Sequence, residues 1–364
     1  MNVPKDTLDV LLSPTTRCNL RCRYCYVDRT TPADVADMSL SDISAAFAWL
    51  RKYACVLGAK RIRFTWFGGE PLLLGGDFLA AALEMQEKCF DGFKVLNNIQ
   101  SNLTVNVKPC IPLFKRCFDG HVGFSMDNAD GFRIFHDGGR TREVVERNVK
   151  VLQSEGISTG AVCTLLRCDI GKSHEIYRYF KDLGVVFRVN RAASSPQLAE
   201  AGLLLSVSEY ETIVKEITEC YLNDPSPTIS FHNFDMMVTS YLTGSAVLCV
   251  DTEHPEQYIG LEANGRIMSR CRFKPAMGNY RADSAQQVFD RFRSLATPHS
   301  RPDRCSECEF WGKVCLGGCI GEPCCDCMAS DCGYRTEVTC ELWRFVAGVL
   351  KTRGLEYGSE DRSR

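Results

Sequence analysis

Between Leu8 and Asn190 short apolar runs alternate with longer stretches whose apolar residues recur at helical spacing, and this repeat leaves few folds open. The runs fall near 8–13, 61–67, 94–101, 121–126, 157–166 and 185–190, and each reads as a buried strand. Between them lie amphipathic stretches such as Ser41 to Leu57, Phe78 to Cys89, Arg142 to Glu155 and Ser173 to Leu183. Strand, helix and next strand are joined as parallel crossovers. Six units are visible and eight would close a barrel, so the periodicity admits a partial barrel or an open doubly wound sheet. A further helix is expected near Ser208 to Tyr221, and the turn-rich Asn223-Asp-Pro-Ser-Pro227 marks a domain boundary.

The chain has 364 residues, enough for a barrel of roughly 200 residues and a second module. Its net charge is -2 with both signs interspersed, so nothing points to nucleic acid or to a charged interaction tail. The amino terminus lacks a charged-then-apolar signal, and no run of about 18 apolar residues could span a bilayer. A soluble, cytoplasmic protein with no membrane partner is expected. In a cytosol that keeps thiols reduced, 21 cysteines argue for metal rather than disulfides. Eleven of them follow position 245. The thiols Cys55, Cys89, Cys110, Cys117, Cys163, Cys168 and Cys220 fall in or beside expected helices and strands, where they read as buried small hydrophobes.

Cys18, Cys22 and Cys25 form a C-x3-C-x2-C triplet just beyond the first strand, at the end that is catalytic in parallel α/β barrels. Three thiolates can hold three irons of a [4Fe-4S] cube and leave the fourth iron open, whereas closed clusters and structural zinc sites take four protein ligands. A zinc knuckle borrowing a distant fourth ligand is the alternative. With Tyr24 before its last cysteine, the triplet resembles that of the radical S-adenosylmethionine (SAM) enzymes, C-x3-C-x-aromatic-C. The resemblance implies a partial (β/α)6 TIM-type barrel, a [4Fe-4S] cluster bound to SAM, and cleavage of SAM to a 5′-deoxyadenosyl radical.

Further segments carry the same resemblance. Gly68-Gly69-Glu70-Pro71 matches the GGE(P) motif, in which glycines allow close backbone approach and Glu70 and the carbonyls accept from the SAM ammonium. Gln100-Ser101-Asn102 is similar to the family's Q-T-N-G, with Leu103 in place of glycine, and Ser125-Met126-Asp127 to its S-L-D-G, with Asn128 in place of glycine. His136-Asp137 followed by Arg140 resembles the H-D-x-x-R stretch. The cofactor-binding set implied is thus Tyr24, Gly68, Gly69, Glu70, Asn102, Ser125, Asp127 and Arg140, with Ser125 and Arg140 on the ribose and carboxylate side.

Late in the chain, Cys249, Gly265, Cys271, then Cys305-x2-Cys308-x6-Cys315-x3-Cys319 and Cys340 resemble the SPASM domain, which carries up to two auxiliary [4Fe-4S] clusters. One-residue differences in spacing separate this chain from the usual pattern. The resemblance assigns Cys305, Cys308, Cys315 and Cys340 to an outer cluster, and Cys249, Cys271 and Cys319 to an inner one. The inner set is one ligand short, with Cys324, Cys325, Cys327 and Cys332 as candidates. Zinc remains the alternative by spacing alone. The implied organisation is 1–205 barrel, 206–228 connecting helix and linker, 229–350 auxiliary-cluster domain and 351–364 tail.

The resemblance implies a radical SAM oxidoreductase acting on a peptide, first as a maturase that crosslinks a ribosomally made precursor by a C–C, C–O or thioether bond. Alternatives are a sulfatase maturase that forms formylglycine, a small-molecule SPASM oxidase, or a non-enzymatic zinc module. Partners expected are the precursor peptide and a reductant such as a flavodoxin or ferredoxin. Seventeen residues before Cys18 leave no room for a fused leader-binding domain, so a separate leader-recognition protein or direct leader binding is expected.

Overall fold

The computed structural model describes residues 6–25, 36–192, 196–244, 254–269, 276–295, 307–310, 314 and 340–358. Its first half runs β1 (Thr7–Ser13), α1 (Leu40–Leu57), β2 (Arg61–Trp66), α2 (Gly76–Cys89), β3 (Lys94–Ser101), α3 (Ile111–Cys117), β4 (His121–Ser125), α4 (Arg142–Ser154), β5 (Ser158–Leu165), α5 (Ser173–Leu183) and β6 (Val186–Arg191). All six strands expected from the sequence are present. They lie side by side in chain order, each parallel to the next. A doubly wound sheet reverses its strand order at a switch point. No reversal occurs from β1 to β6, so the sheet is the partial (β/α)6 barrel.

Local chemistry explains the elements. Ser39 caps α1 through a reciprocal box with Asp42, and Gly58, at φ +72°, ends the helix in the left-handed conformation. Ile43, Ala46, Phe47, Leu50 and Ala54 recur at helical spacing and are buried. Phe47 meets Phe64 of β2 and Phe90 edge-on at 5.7 and 5.6 Å. Along β2, Ile62, Phe64 and Trp66 are buried under the helices while Arg61, Arg63 and Thr65 alternate to the other face. That inner face carries polar pairs: Arg63 Nη2 donates to Asp9 Oδ2 at 2.7 Å, and Gln100 Nε2 donates to Ser125 Oγ at 3.2 Å. Gly123 faces Gln100 across the register, and a Cβ there would meet Gln100 Oε1 at 2.4 Å.

The second half adds α6 (Pro196–Glu200), α7 (Val207–Leu222), α8 (His232–Thr243), β7 (Tyr258–Glu262), β8 (Arg266–Ser269), β9 (Gly278–Asn279), α9 (Ala285–Leu295) and α10 (Cys340–Thr352). β7 pairs parallel to β1, β8 antiparallel to β7 and β9 antiparallel to β8, so the barrel sheet continues into the C-terminal extension. The α1 helix joins the two halves: Trp49 Nε1 donates to Asp283 O at 2.8 Å, and Tyr53 Oη donates to Glu256 O at 2.9 Å. Among the described residues no helix is long and apolar enough to cross a membrane. Of the thiols expected to be core hydrophobes, Cys110 and Cys163 are buried, Cys89, Cys117, Cys168 and Cys220 are half-buried, and Cys55 is exposed on α1. Cys55 lies inside a helix as expected, but its position falls outside the buried stripe, so it is not a core residue.

Candidate active site

The loop leaving β1 carries Cys18, Cys22 and Cys25 as thiols outside any disulfide, the first two half-buried and the third exposed. A tight turn, Cys25 N to Cys22 O at 3.1 Å, folds the second half of the triplet back on itself. Cys18 Sγ accepts from Leu20 N at 3.4 Å and from Asn102 Nδ2 at 3.6 Å. N–H···S contacts of this kind stabilise thiolate and tune iron–sulfur potentials. Cys22 lies within electrostatic reach of both other thiols; burial pushes its thiol up to about 11, while Arg133 pulls it back. Three thiols on one loop, one already held by N–H donors, suit the open cluster that three cysteines leave.

The two glycines after β2 are there because the loops touch. Gly69 N donates to Thr15 O at 2.8 Å and Glu70 N to Arg17 O at 2.7 Å, stitching this turn to the start of the cysteine loop. A Cβ on Gly68 would sit 2.3 Å from Thr15 O, and one on Gly69 only 2.0 Å from Arg17 O. Any side chain would drive the loops apart. Glu70 is turned inward and fully buried. Its Oε1 accepts from Leu72 N at 3.0 Å and Ser101 Oγ at 2.8 Å, and its Oε2 from Asn102 N at 2.6 Å. Burial raises its carboxyl above the usual range against those three donors. The carboxylate therefore braces β2 against β3.

Asn102 is a hub. Besides Cys18, its Nδ2 donates to Asn19 Oδ1 at 2.9 Å, while its Oδ1 accepts from Thr104 N at 2.9 Å; Asn19 Nδ2 in turn donates to Thr104 Oγ1 at 2.8 Å. The next residue, Leu103, has φ +51° and is fully buried. A left-handed backbone explains why glycine is the usual residue at that point of the motif. Ser125 points into the barrel beside Gln100. Asp127 is buried at the top of β4, where its Oδ1 accepts from Thr164 N at 3.1 Å and its Oδ2 accepts the Tyr24 hydroxyl. Tyr24 and Asp127 are thereby brought together across the cysteine loop and the β4 terminus.

Arg140 is not brought in. Its side chain is 76% exposed and pairs with Asp130 at 3.4 Å, because residues 132–135 run antiparallel along the cysteine loop and Arg140 closes the turn beyond them. Arg21 N donates to Ile134 O at 2.8 Å and Arg23 N to Phe132 O at 2.9 Å. This strap places a residue the motifs do not single out, Arg133, against Tyr24: its Nη1 donates to Tyr24 Oη at 3.0 Å. The signal was a lone charge inside Phe132-Arg-Ile-Phe135, since a cation within an apolar run needs a partner. His136 Nε2 lies 3.1 Å from Cys18 O. Asn19 was missed as well; nothing in its spacing distinguishes it from a turn residue.

In the extension, Cys308 is half-buried against the core and Cys340 opens α10. Phe310 stacks on Trp343 at 6.1 Å, which holds the segment around Cys308 to the first turn of α10. Cys249, Cys271, Cys305, Cys315, Cys319 and the group Cys324, Cys325, Cys327 and Cys332 lie outside the described residues. Among the described residues no three His, Cys, Asp or Glu side chains form a single-ion site.

Comparison with known proteins agrees with this geometry. Residues 12–178 match the Radical SAM superfamily. The chain is 24% identical over 343 residues to a cysteine-type anaerobic sulfatase-maturating enzyme of Clostridium perfringens, covering 86% of this chain and 88% of that one. Its fold is similar to that of native anSMEcpe with bound AdoMet and Kp18Cys peptide, with a TM-score of 0.73, 20% identity, and 95% and 98% of the two chains covered. The fold of Streptococcus suis SuiB bound to precursor peptide SuiA is also similar, with a TM-score of 0.58, 14% identity, and 87% and 73% covered. The cysteine loop, the glycine turn and most of the barrel that carries them thus fall in a domain, residues 12–178, that matches the Radical SAM superfamily, and a cysteine-rich C-terminal extension follows it.

Proposed function

We propose that this radical SAM enzyme is a maturase of the sulfatase-maturating kind, which oxidises a cysteine or serine side chain of a protein substrate to the aldehyde of formylglycine. The observation that carries the reading is the match to the Clostridium perfringens enzyme over most of both chains. At 86% of this chain it extends well past the barrel into the cysteine-rich extension, and the two chains are of similar extent. The crosslinking reading expected first from the sequence leans on the lesser likeness to SuiB. Both solved neighbours hold a peptide, which supports a peptide segment as substrate.

In this reading Cys18, Cys22 and Cys25 hold the [4Fe-4S] cluster on which SAM binds. When bound, cluster and SAM would supply a 5′-deoxyadenosyl radical for abstraction of a substrate hydrogen. The protein's own residues supply position. Gly68 and Gly69 keep the β2 turn in contact with the cysteine loop, Glu70 fixes that turn to β3, and Asn102 orients Cys18. Asp127 fixes the Tyr24 ring, and Ser125 lines the inner face. Arg140 at the surface is left with Asp130, so its assignment to SAM has the least support. Cys249, Cys271, Cys305, Cys308, Cys315, Cys319 and Cys340 are proposed to hold auxiliary clusters; the stacking of Phe310 on Trp343 favours Cys308 and Cys340 acting together. A flavodoxin or ferredoxin is the proposed reductant.

The test uses the anaerobically reconstituted full chain with SAM, reductant and a sulfatase segment carrying its active-site cysteine or serine. An aldehyde on the segment, captured by an aminooxy reagent and located by mass spectrometry, is the expected product. A product that has lost two hydrogens yet captures no reagent would return the chain to the crosslinking reading.

A further inference from the structure

Arg133 sits where the sequence motifs placed no cation. The guanidinium is anchored by one hydrogen bond, Nη1 to Tyr24 Oη at 3.0 Å, while its Nε is buried without a hydrogen-bond partner. Among the described residues no carboxylate comes within 4 Å of it as an ion pair, and it reaches Asp127 only through the Tyr24 hydroxyl. A half-buried cation whose Nε is shut from water and which has no anion in contact is costly, and proteins rarely keep one unless something nearby balances it. The acidic groups within electrostatic reach of it are Tyr24, Cys22, Asp127 and Glu70. Of these, Cys22 belongs to the triplet that holds the cluster.

We propose that Arg133 is a charge-balancing and positioning residue of the cluster site: its guanidinium offsets the negative charge at the Cys22 thiolate and eases entry of the reducing electron, while its bond to Tyr24 holds the loop in place. The inference rests on the radical SAM assignment and is independent of the substrate. One-electron reduction adds one negative charge next to the triplet, forms no bond and moves no proton; dithionite supplies the electron in the test. A nearby cation stabilises the reduced form over the oxidised one and raises the potential. Outer residues of this kind tune metal sites without touching the metal. The backbone pairing of residues 132–135 with the cysteine loop fixes the guanidinium there, so its charge acts at constant distance.

The experiment is an electron paramagnetic resonance redox titration of the reconstituted full chain, following the reduced-cluster signal that changes when SAM is added. Arg133→Met should shift that midpoint to lower potential or cost the variant its SAM-responsive cluster, whereas Arg133→Lys, which keeps the charge, should hold both near wild type. An Arg133→Met variant with full iron and an unmoved midpoint overturns the proposal. So does an Arg133→Lys variant that fails in the same way as Arg133→Met, since the side chain would then matter for shape alone. No substrate is present, so failure of the formylglycine reading leaves the result intact, and a wild-type chain that takes up no [4Fe-4S] would sink the cluster assignment instead.

Discussion

Leu103 shows how one residue can depart from its motif and still fit. Left-handed backbone costs a side-chain-bearing residue about 1–2 kcal/mol, and removing a buried leucine costs about 2–5 kcal/mol. Burial outweighs the backbone strain, so Leu103→Gly should lower stability by about 1–3 kcal/mol in urea unfolding despite relieving the backbone. A more stable variant would mean the left-handed conformation dominates. Gly69 gives the opposite case. The atom its Cβ would strike is the Arg17 carbonyl, which cannot rotate away, so Gly69→Ala should cost at least the roughly 1–3 kcal/mol of overpacking and release iron from the triplet. Gly76→Ala is the control: its Cβ would find Pro109 O at an ordinary 3.4 Å, and iron content should not change. The glycines, the triplet and Asp127 were legible in sequence because their spacing is local. Arg133 and Asn19 were not, since each matters through a partner on another segment.

Among the elements, α1 is the joint between barrel and extension. Asp42 accepts from Ser39 at its amino terminus and ion-pairs with Arg281 at 2.7 Å. Those hydrogen bonds, from Ser39 first and then Arg281, hold its carboxyl down at about 2 against an ordinary 3.8. A carboxylate lowered on folding stabilises above its unfolded value, and that contribution is lost as pH falls through the folded one. The difference in thermal stability between wild type and Asp42→Ala should therefore be full at pH 5, shrink below about pH 4, be mostly lost by pH 2 and vanish only below it. For a cap and a largely exposed pair its size is about 1 kcal/mol. A difference that persists unchanged at pH 2 would assign the effect to helix propensity. The strands were read correctly because each is a short apolar run bounded by turn residues. The α3 crossover was harder: Pro109 and Pro112 interrupt the helical pattern on which such readings depend. β7 to β9 were hidden because they are only five, four and two residues long and β7 and β8 are buried almost throughout, so no alternation shows.

At the scale of the molecule, β7 covers the edge of β1, and α9 with Glu256 and Asp283 covers α1. A chain ended at residue 244 would expose an open strand edge and the Trp49–Tyr53 surface, so it should aggregate and lose cooperative unfolding. A soluble, cooperatively melting fragment would show that the barrel stands alone. The order of strands, the cysteine triplet and the close-approach glycines were determined by sequence alone, because hydrophobic period, ligand spacing and the absence of a Cβ act within a few residues. Tertiary structure decided what no local pattern encodes. It closed the choice between partial barrel and doubly wound sheet through strand adjacency, turned Glu70 inward to brace two loops, left Arg140 at the surface and set Arg133 against the cysteine loop. Each of these depends on which distant segments meet, and a half-buried cation or a buried carboxylate takes its role from the partners those segments give it.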